Sequence, residues 1–424
     1  MLRLFISILI YFSAIGSISV FGIQTITPES QGYSKERLER MHSVIQSYID
    51  DDLYAGAITL IARNGRIVDL HTYGYSCIES NKKMPVDGIF RIYSMSKTIT
   101  TVCVMQLYEQ GKLDLNDSVT KFIPEMKQMK VFVGGNSEHP VFEAPEHDIT
   151  IRELLTHTSG LPYPFAAGRA EAFYEGNDCL SQPDCNGFID SLVTCPLLFQ
   201  PGTDFCYGLS VDVLGVVIER ITGKRLGEYM RDNLFMPLGM VDTFFSVPEN
   251  KRSRLVGLYT GRGPGLERFV HSWDSHSPQI DPNAIGEPIC GFDSGGCGLY
   301  STIYDYCIFA QMLLNKGEYN GKQILSPRTV ELMTVNQLGD IGDGTHRFSN
   351  YKGFGLGFEI RIKFAEGALL GSLGEYGWSG AASTYFRIDP VQNAIEMIFL
   401  QHFPYNSHQI FEKFHVLHYQ SMVK

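Results

Sequence analysis

Ser94 and Lys97 stand three residues apart in FRIYSMSKTIT, where an apolar run with helical character begins. On a helix that spacing puts a hydroxyl and an amine on one side, and a serine beside an amine able to hold its proton is a nucleophile. Lysine is out of place in a first helical turn, because the positive end of the helix opposes a cation. Burial and that helix end both disfavour its charged form, leaving a neutral amine that can accept the hydroxyl proton. The same helix end, with its free backbone N–H groups, suits a developing oxyanion. Ser96 is adjacent but points to another face. Spacing alone does not decide, since Ser-x-x-Lys also occurs at Ser80/Lys83, Ser118/Lys121, Ser349/Lys352 and Ser421/Lys424. A helix-capping serine followed by a snorkelling lysine is the ordinary reading of such a tetrapeptide.

Other arrangements compete less well. GWSGA around Ser379 imitates a nucleophile elbow, but that motif needs a strand-turn-helix setting and a later acid and histidine, for which little chain remains. His157 in LLTHTSGL suggests a Ser-His pair only in isolation. His415 and His418 lie one helical turn apart with no third ligand, which reads as an amphipathic helix and not a metal site. GFDSGGCGLYST is rich in glycine yet lacks a phosphate-loop lysine, so it reads as a turn packed near the site. No cofactor or metal is expected.

The elements that must hold these residues are legible along the chain. Ser34 to Ile49 has helical periodicity, with Leu38, Met41, Val44, Ile45 and Tyr48 on one face. AGAITLIARNGRIVDLHTYGYS reads as two strands joined by Asn64-Gly65, a strong hairpin signal. Helices follow from Met95 to a stop at Gly111, in ITIRELLTHTSGL up to Gly160, in LSVDVLGVVIERITG up to Gly223, and in DYCIFAQMLLNKG up to Gly317. YFRIDP and AIEMIFLQHF are strand-like, and NSHQIFEKFHVLHYQSM is a closing helix. This order predicts an α+β fold in which strands from both chain ends share one antiparallel sheet around an inserted, mostly helical region.

Composition bounds the function. The chain of 424 residues is 44% hydrophobic and 19% charged without a biased tract, which marks a globular protein with ample core. A net charge of −11 without a basic cluster argues against nucleic acid or an anionic membrane surface as partner. Residues 1–22 place Arg3 before an apolar run ending in small residues, which predicts a cleaved secretory signal, a product that is secreted or in the secretory-pathway lumen and no membrane association after its removal, with a retained membrane anchor as the alternative. Nine cysteines fit an oxidising compartment. Cys179, Cys185, Cys195, Cys206, Cys290 and Cys297 are the disulfide candidates, with connectivity open; Cys77, Cys103 and Cys307 sit among apolar neighbours and read as buried thiols. Asn116-Asp117-Ser118 is a glycosylation sequon usable on a secretory route.

Four stretches, FRIYSMSKTITTVCVMQLYEQGKLDLNDSVTKFIPEM, ITIRELLTHTSGL, SVDVLGVVIERITGKRLGEYMRDNLFMPLGMVDTFF and GWSGAASTYFRIDP, resemble in order the serine β-lactamase and penicillin-binding-protein-like superfamily. The resemblance covers most of the chain after residue 30, is strongest to the esterase and acyltransferase branch, and implies a class C β-lactamase fold over residues 23–424. It implies that Ser94 is the acylated nucleophile, Lys97 its base partner and Tyr207 in FCYGLS a second base. One lysine about 4 Å from a phenol supplies the roughly 4 kcal/mol that makes a phenolate accessible near neutral pH. It also implies an oxyanion hole from the backbone N–H groups of Ser94 and Ala381. The chain departs from β-lactamases at Gly208 and Leu209, where they carry serine and asparagine. It departs again at Trp378-Ser379-Gly380, where they carry Lys-Thr-Gly, so the carboxylate-binding lysine is missing and Trp378 offers an apolar wall. The expected activity is hydrolysis of small carboxylic esters. Acyl transfer, D-amino-acid peptidase action and weak β-lactam hydrolysis use the same acyl-enzyme, and a non-catalytic relative binding ligands in the cleft is the reading from a different class.

Overall fold

The structure, a computed structural model, describes residues 23–263, 265–269, 289–339, 341, 351–365 and 367–424; the expected signal at residues 1–22 lies outside them. The first helix, α1 (Lys35–Asp50), starts where the Ser34 hydroxyl accepts the Arg37 N–H, and it buries Leu38, Met41, Ile45 and Ile49. Strands β1 (Gly56–Arg63) and β2 (Arg66–Cys77) follow. Asn64 and Gly65 both take left-handed φ, 51° and 72°, as a two-residue type I′ hairpin requires.

The main sheet has eight strands. Besides β1 and β2 it contains β3 (Lys82–Lys83), β4 (Lys352–Phe354), β5 (Glu359–Arg361), β6 (Tyr376–Gly380), β7 (Thr384–Asp389) and β8 (Ala394–Phe399). Their spatial order is β4-β5-β6-β7-β8-β1-β2-β3, so strands from the two chain ends meet where β1 pairs antiparallel with β8, Ile58 opposite Phe399. The expected α+β arrangement is therefore observed. Alternation along the strands divides the apolar residues between two cores. Ile58, Leu60, Phe386, Met397 and Phe399 join the large core of the helical region, which holds α2 (Ser96–Glu109), α3 (Ile151–Leu155), α4 (Ser210–Thr222) and α5 (Ile303–Leu314). Ala57, Ile61, Tyr385 and Ile398 face α1 and the last helix, α6 (Ile410–Ser421).

Helix ends differ from expectation by more than two residues in two places. The third helix stops at Leu155, before Gly160, because His157 already takes a left-handed φ of 57°. The last begins at Ile410 and not at Asn406, since Gln409 has a φ of 53°. No described helix is long and apolar enough to cross a membrane. None of the expected disulfides is closed in this structure, where all nine cysteines are free; Cys103 and Cys307 are buried as expected, whereas Cys77 is only half-buried.

Candidate active site

Ser94 lies in a tight 3-10 turn, Tyr93–Met95, immediately before α2, and both Ser94 and Lys97 are buried. The turn is reached through Tyr93, whose φ of 41° is costly for a bulky residue. Close packing holds it there: Tyr93 is 1% exposed and packs with Leu258, Cys290, Cys297 and Ala382. Gly380 lets the end of β6 come close to this turn, since a Cβ there would sit 2.3 Å from the Ile92 carbonyl oxygen. That approach brings Ala381 beside Ser94 on the wall of one cleft, of about 540 Å³. Among the described residues neither the Ser94 nor the Ala381 N–H has a protein acceptor, which leaves two donors for an oxyanion.

Lys97 Nζ sits 3.4 Å from Ser94 Oγ. It donates to the Tyr163 hydroxyl at 2.7 Å and to the Gly296 carbonyl at 2.8 Å. Burial, and then the neighbouring Tyr207, push the Tyr163 phenol well above its ordinary range, so it stays protonated. Tyr207, implied as a second base near a lysine, meets Lys97 through its ring. Lys97 Nζ lies 4.7 Å from its ring centroid, over the π face, while its hydroxyl accepts the Trp378 Nε1–H at 3.1 Å.

Two further residues hold this arrangement. The Asp212 carboxylate, buried in α4, accepts the Ser294 hydroxyl and the Gly296 N–H through Oδ1, the latter at 3.0 Å. Its Oδ2 has no partner among the described residues. Burial pushes its carboxyl up while Lys97 draws it down. Gly296 must be glycine, as a Cβ would lie 2.2 Å from Asp212 Oδ2. His157 brackets Tyr207: its carbonyl accepts the Cys206 N–H at 2.8 Å, its Nδ1 accepts the Gly208 N–H at 3.4 Å, and its ring lies 4.7 Å from that of Tyr207. Burial, assisted by Lys97, pushes His157 well below its ordinary range, keeping Nδ1 an acceptor. His157 thus clamps a tyrosine and does not pair with a serine.

The structure gathers Ser94, Tyr207, Trp378, Ser379, Gly380 and Ala381 on one cleft wall with Lys97 beneath. Ser379 is on a strand and bonds the Tyr405 hydroxyl at 2.7 Å, which removes the nucleophile-elbow alternative. Cations lining the cleft are paired: Lys352 and Arg387 with Glu359, and Arg361 with Glu375. His415 and His418 both bond Glu396, and no group of three metal-ligating side chains occurs among the described residues. Tyr163 and Asp212 escaped the sequence reading, whereas Gly296 lies in the glycine-rich turn read as packed near the site. Asp212 did leave a trace, as a charge among Val211, Val213 and Leu214 on an apolar helix; Tyr163 left none.

The sequence profile of the Beta-lactamase family matches residues 41–419. An uncharacterised Mycobacterium tuberculosis protein is 32% identical over 87% of this chain and 90% of its own. The lovastatin esterase of Penicillium rubens is 30% identical over 80% of this chain and 85% of its own. Among solved structures, simvastatin synthase LovD from Aspergillus terreus superimposes with a TM-score of 0.76 at 24% identity, over 91% of this chain and 97% of that one. EstCE1, a hydrolase with promiscuous acyltransferase activity, does so with 0.75 at 23% identity, over 92% and 99%. At such identities these two likenesses speak for the fold. The profile match over most of the chain and the 30% relatives go further: this chain belongs to the Beta-lactamase family, in the company of esterases and acyltransferases built on its fold.

Proposed function

We propose that the chain is a secreted serine hydrolase that cleaves carboxylic esters through an acyl-enzyme on Ser94. The observation that carries this reading is the placement of Lys97 Nζ, which bonds Tyr163 and Gly296 and presents its remaining position to Ser94 Oγ. In acylation the hydroxyl proton passes to Lys97 as Oγ attacks the ester carbonyl carbon. The 3.4 Å separation is loose for a hydrogen bond and is expected to tighten around substrate. Oxyanion charge falls on the Ser94 and Ala381 N–H groups. As the ester C–O bond breaks, Tyr207 protonates the departing alcohol; its oxygen already accepts from Trp378, so its own hydrogen is free to be given. Water then attacks the acyl carbon, Tyr207 recovers a proton from it, and Lys97 returns the first proton to Ser94 Oγ.

Trp378 lines the cleft where a cation would greet a carboxylate, and the nearby cations are held in ion pairs, which favours neutral esters over penicillins and cephalosporins. The cleft volume also admits a second alcohol in place of water, so acyl transfer is the second reading. The apolar stretch over residues 1–22 and the nine cysteines support the secretory route. The test is labelling with an active-site serine phosphonate, followed by peptide mapping and a panel of p-nitrophenyl esters, a cephalosporin and D-amino-acid amides. The adduct is expected on Ser94, with esters turned over fastest. Labelling at Ser379, or cephalosporin turnover near the diffusion limit with poor esterolysis, would overturn the reading.

A further inference from the structure

We infer that Cys290 and Cys297 are joined as a disulfide in the working enzyme, and that this bond holds the turn that presents the Gly296 carbonyl to Lys97. Their sulfurs lie 3.3 Å apart, with Cys290 8% and Cys297 0% exposed. A disulfide needs about 2.05 Å, so closure asks for roughly 1.3 Å of relative side-chain movement from that starting distance. The turn between the two sulfurs supplies the site with several of its contacts. Ser294 Oγ donates to Asp212, the Gly296 N–H donates to the same carboxylate, and the Gly295 carbonyl accepts the Thr100 hydroxyl at 2.7 Å on α2. Cys297 belongs to the same bonded turn, its N–H donating to Ser294 Oγ at 3.1 Å. Both sulfurs also pack in the cluster that holds Tyr93, the strained residue before the nucleophile. A tether across this turn therefore acts on Lys97 and on Ser94 together.

The timing of the bond follows from the surroundings. The adjoining Cys297 sulfur and burial push the Cys290 thiol well above its ordinary range, so in the folded chain it is a poor thiolate and a poor partner for exchange. Oxidation belongs to folding, before the turn is covered. The two thiols give up two protons and two electrons to a disulfide-bearing oxidant of the secretory pathway, which leaves as a dithiol. The catalytic half of this inference rests on the acyl-enzyme reading above; the covalent half does not.

The experiment separates them. The full chain, produced through an oxidising secretory host, is unfolded in iodoacetamide without reductant, digested and mapped by mass spectrometry. The expected result is a peptide spanning Cys290 and Cys297 that carries no adduct, is two hydrogens lighter than the dithiol, and gains two adducts only after reduction. Alkylation of both residues before reduction, or linkage of either to another cysteine, overturns the bond. Ester kinetics are then taken for the Cys290→Ser and Cys297→Ser double variant and for folded wild type during incubation with reductant, which covers a variant that fails to fold. Loss of the bond is expected to lower kcat about tenfold or more with KM nearly unchanged, and to move the pH–rate profile, because the base is misplaced and not the substrate. Unchanged kcat and profile after confirmed reduction overturn the positioning role. Absence of phosphonate labelling at Ser94 in wild type would defeat the acyl-enzyme reading and leave the mapped bond standing.

Discussion

Two buried polar clusters lie on opposite faces of the same sheet, and they are finished to different degrees. Behind the sheet, Glu396 of β8 accepts from His415 Nδ1 at 2.5 Å and from the Tyr385 hydroxyl at 3.1 Å through one oxygen, and bonds His418 Nδ1 through the other. The far ring nitrogens are also taken: His415 Nε2 by the Leu370 carbonyl at 2.6 Å and His418 Nε2 by the Tyr33 hydroxyl at 2.8 Å. In front, Lys97 has two short bonds and one long approach to Ser94, and Asp212 Oδ2 is left without a partner among the described residues. A fully satisfied network locks α6 onto the sheet. The one left incomplete, around Lys97, keeps a proton position open for chemistry. Burial and charge are common to both clusters; the unfilled valence distinguishes the site.

Exchanging the losses between the two clusters tests the contrast. Lys97→Ala should lower kcat/KM for an ester about 10³-fold while near-UV circular dichroism still reports the native fold; retention of more than a tenth of the activity would remove lysine from the mechanism. Glu396→Gln should do the reverse. Breaking a buried pair from one side destabilises by about 3 kcal/mol, read from denaturant unfolding, with kcat/KM within about twofold where the chain remains folded. A large fall in kcat/KM under those conditions would join the two clusters functionally.

Within the site, Tyr207→Phe should lower kcat/KM about 10²-fold, and Tyr163→Phe about tenfold, because Tyr163 only positions Lys97. The Lys97→Ala/Tyr163→Phe double variant should then be little worse than Lys97→Ala alone. Additive losses would separate Tyr163 from the lysine, and near wild-type rates in Tyr207→Phe would leave Lys97 as sole base.

The smallest effect is in pH. Burial pushes Glu396 up, but His415 and His418 outweigh it and hold the carboxylate well below its ordinary 4.5. Burial pushes His415 down, but Glu396 outweighs it and raises the imidazole above 6.5. The Glu396 contribution is thus present above pH 4.5 and lost as pH falls through its lowered value; that of His415 is present below 6.5 and lost as pH rises through its raised one. The stability difference between wild type and Glu396→Gln should be largest between those two pH values and shrink on either side; a flat difference would contradict the charged pairing.

The sequence by itself determined whatever depends on neighbours along the chain. The helical periodicity after Ser34, the Asn64-Gly65 turn with two left-handed residues, the Gly223 stop of α4 and the strand character of β7 and β8 are local signals, and each forms where it was read. Ser94 and Lys97 share a helix start, so their proximity was also local. Only the tertiary structure decided that Tyr163 and not Tyr207 bonds the lysine, that the Gly296 carbonyl faces it, and that His415 and His418 serve one glutamate. Those partners stand 66 and 199 residues from Lys97 in the chain, and no periodicity or turn propensity spans such distances. They meet because the sheet joins both chain ends and packs the helical region against one face, where close packing and the need to satisfy each buried polar atom select the partner.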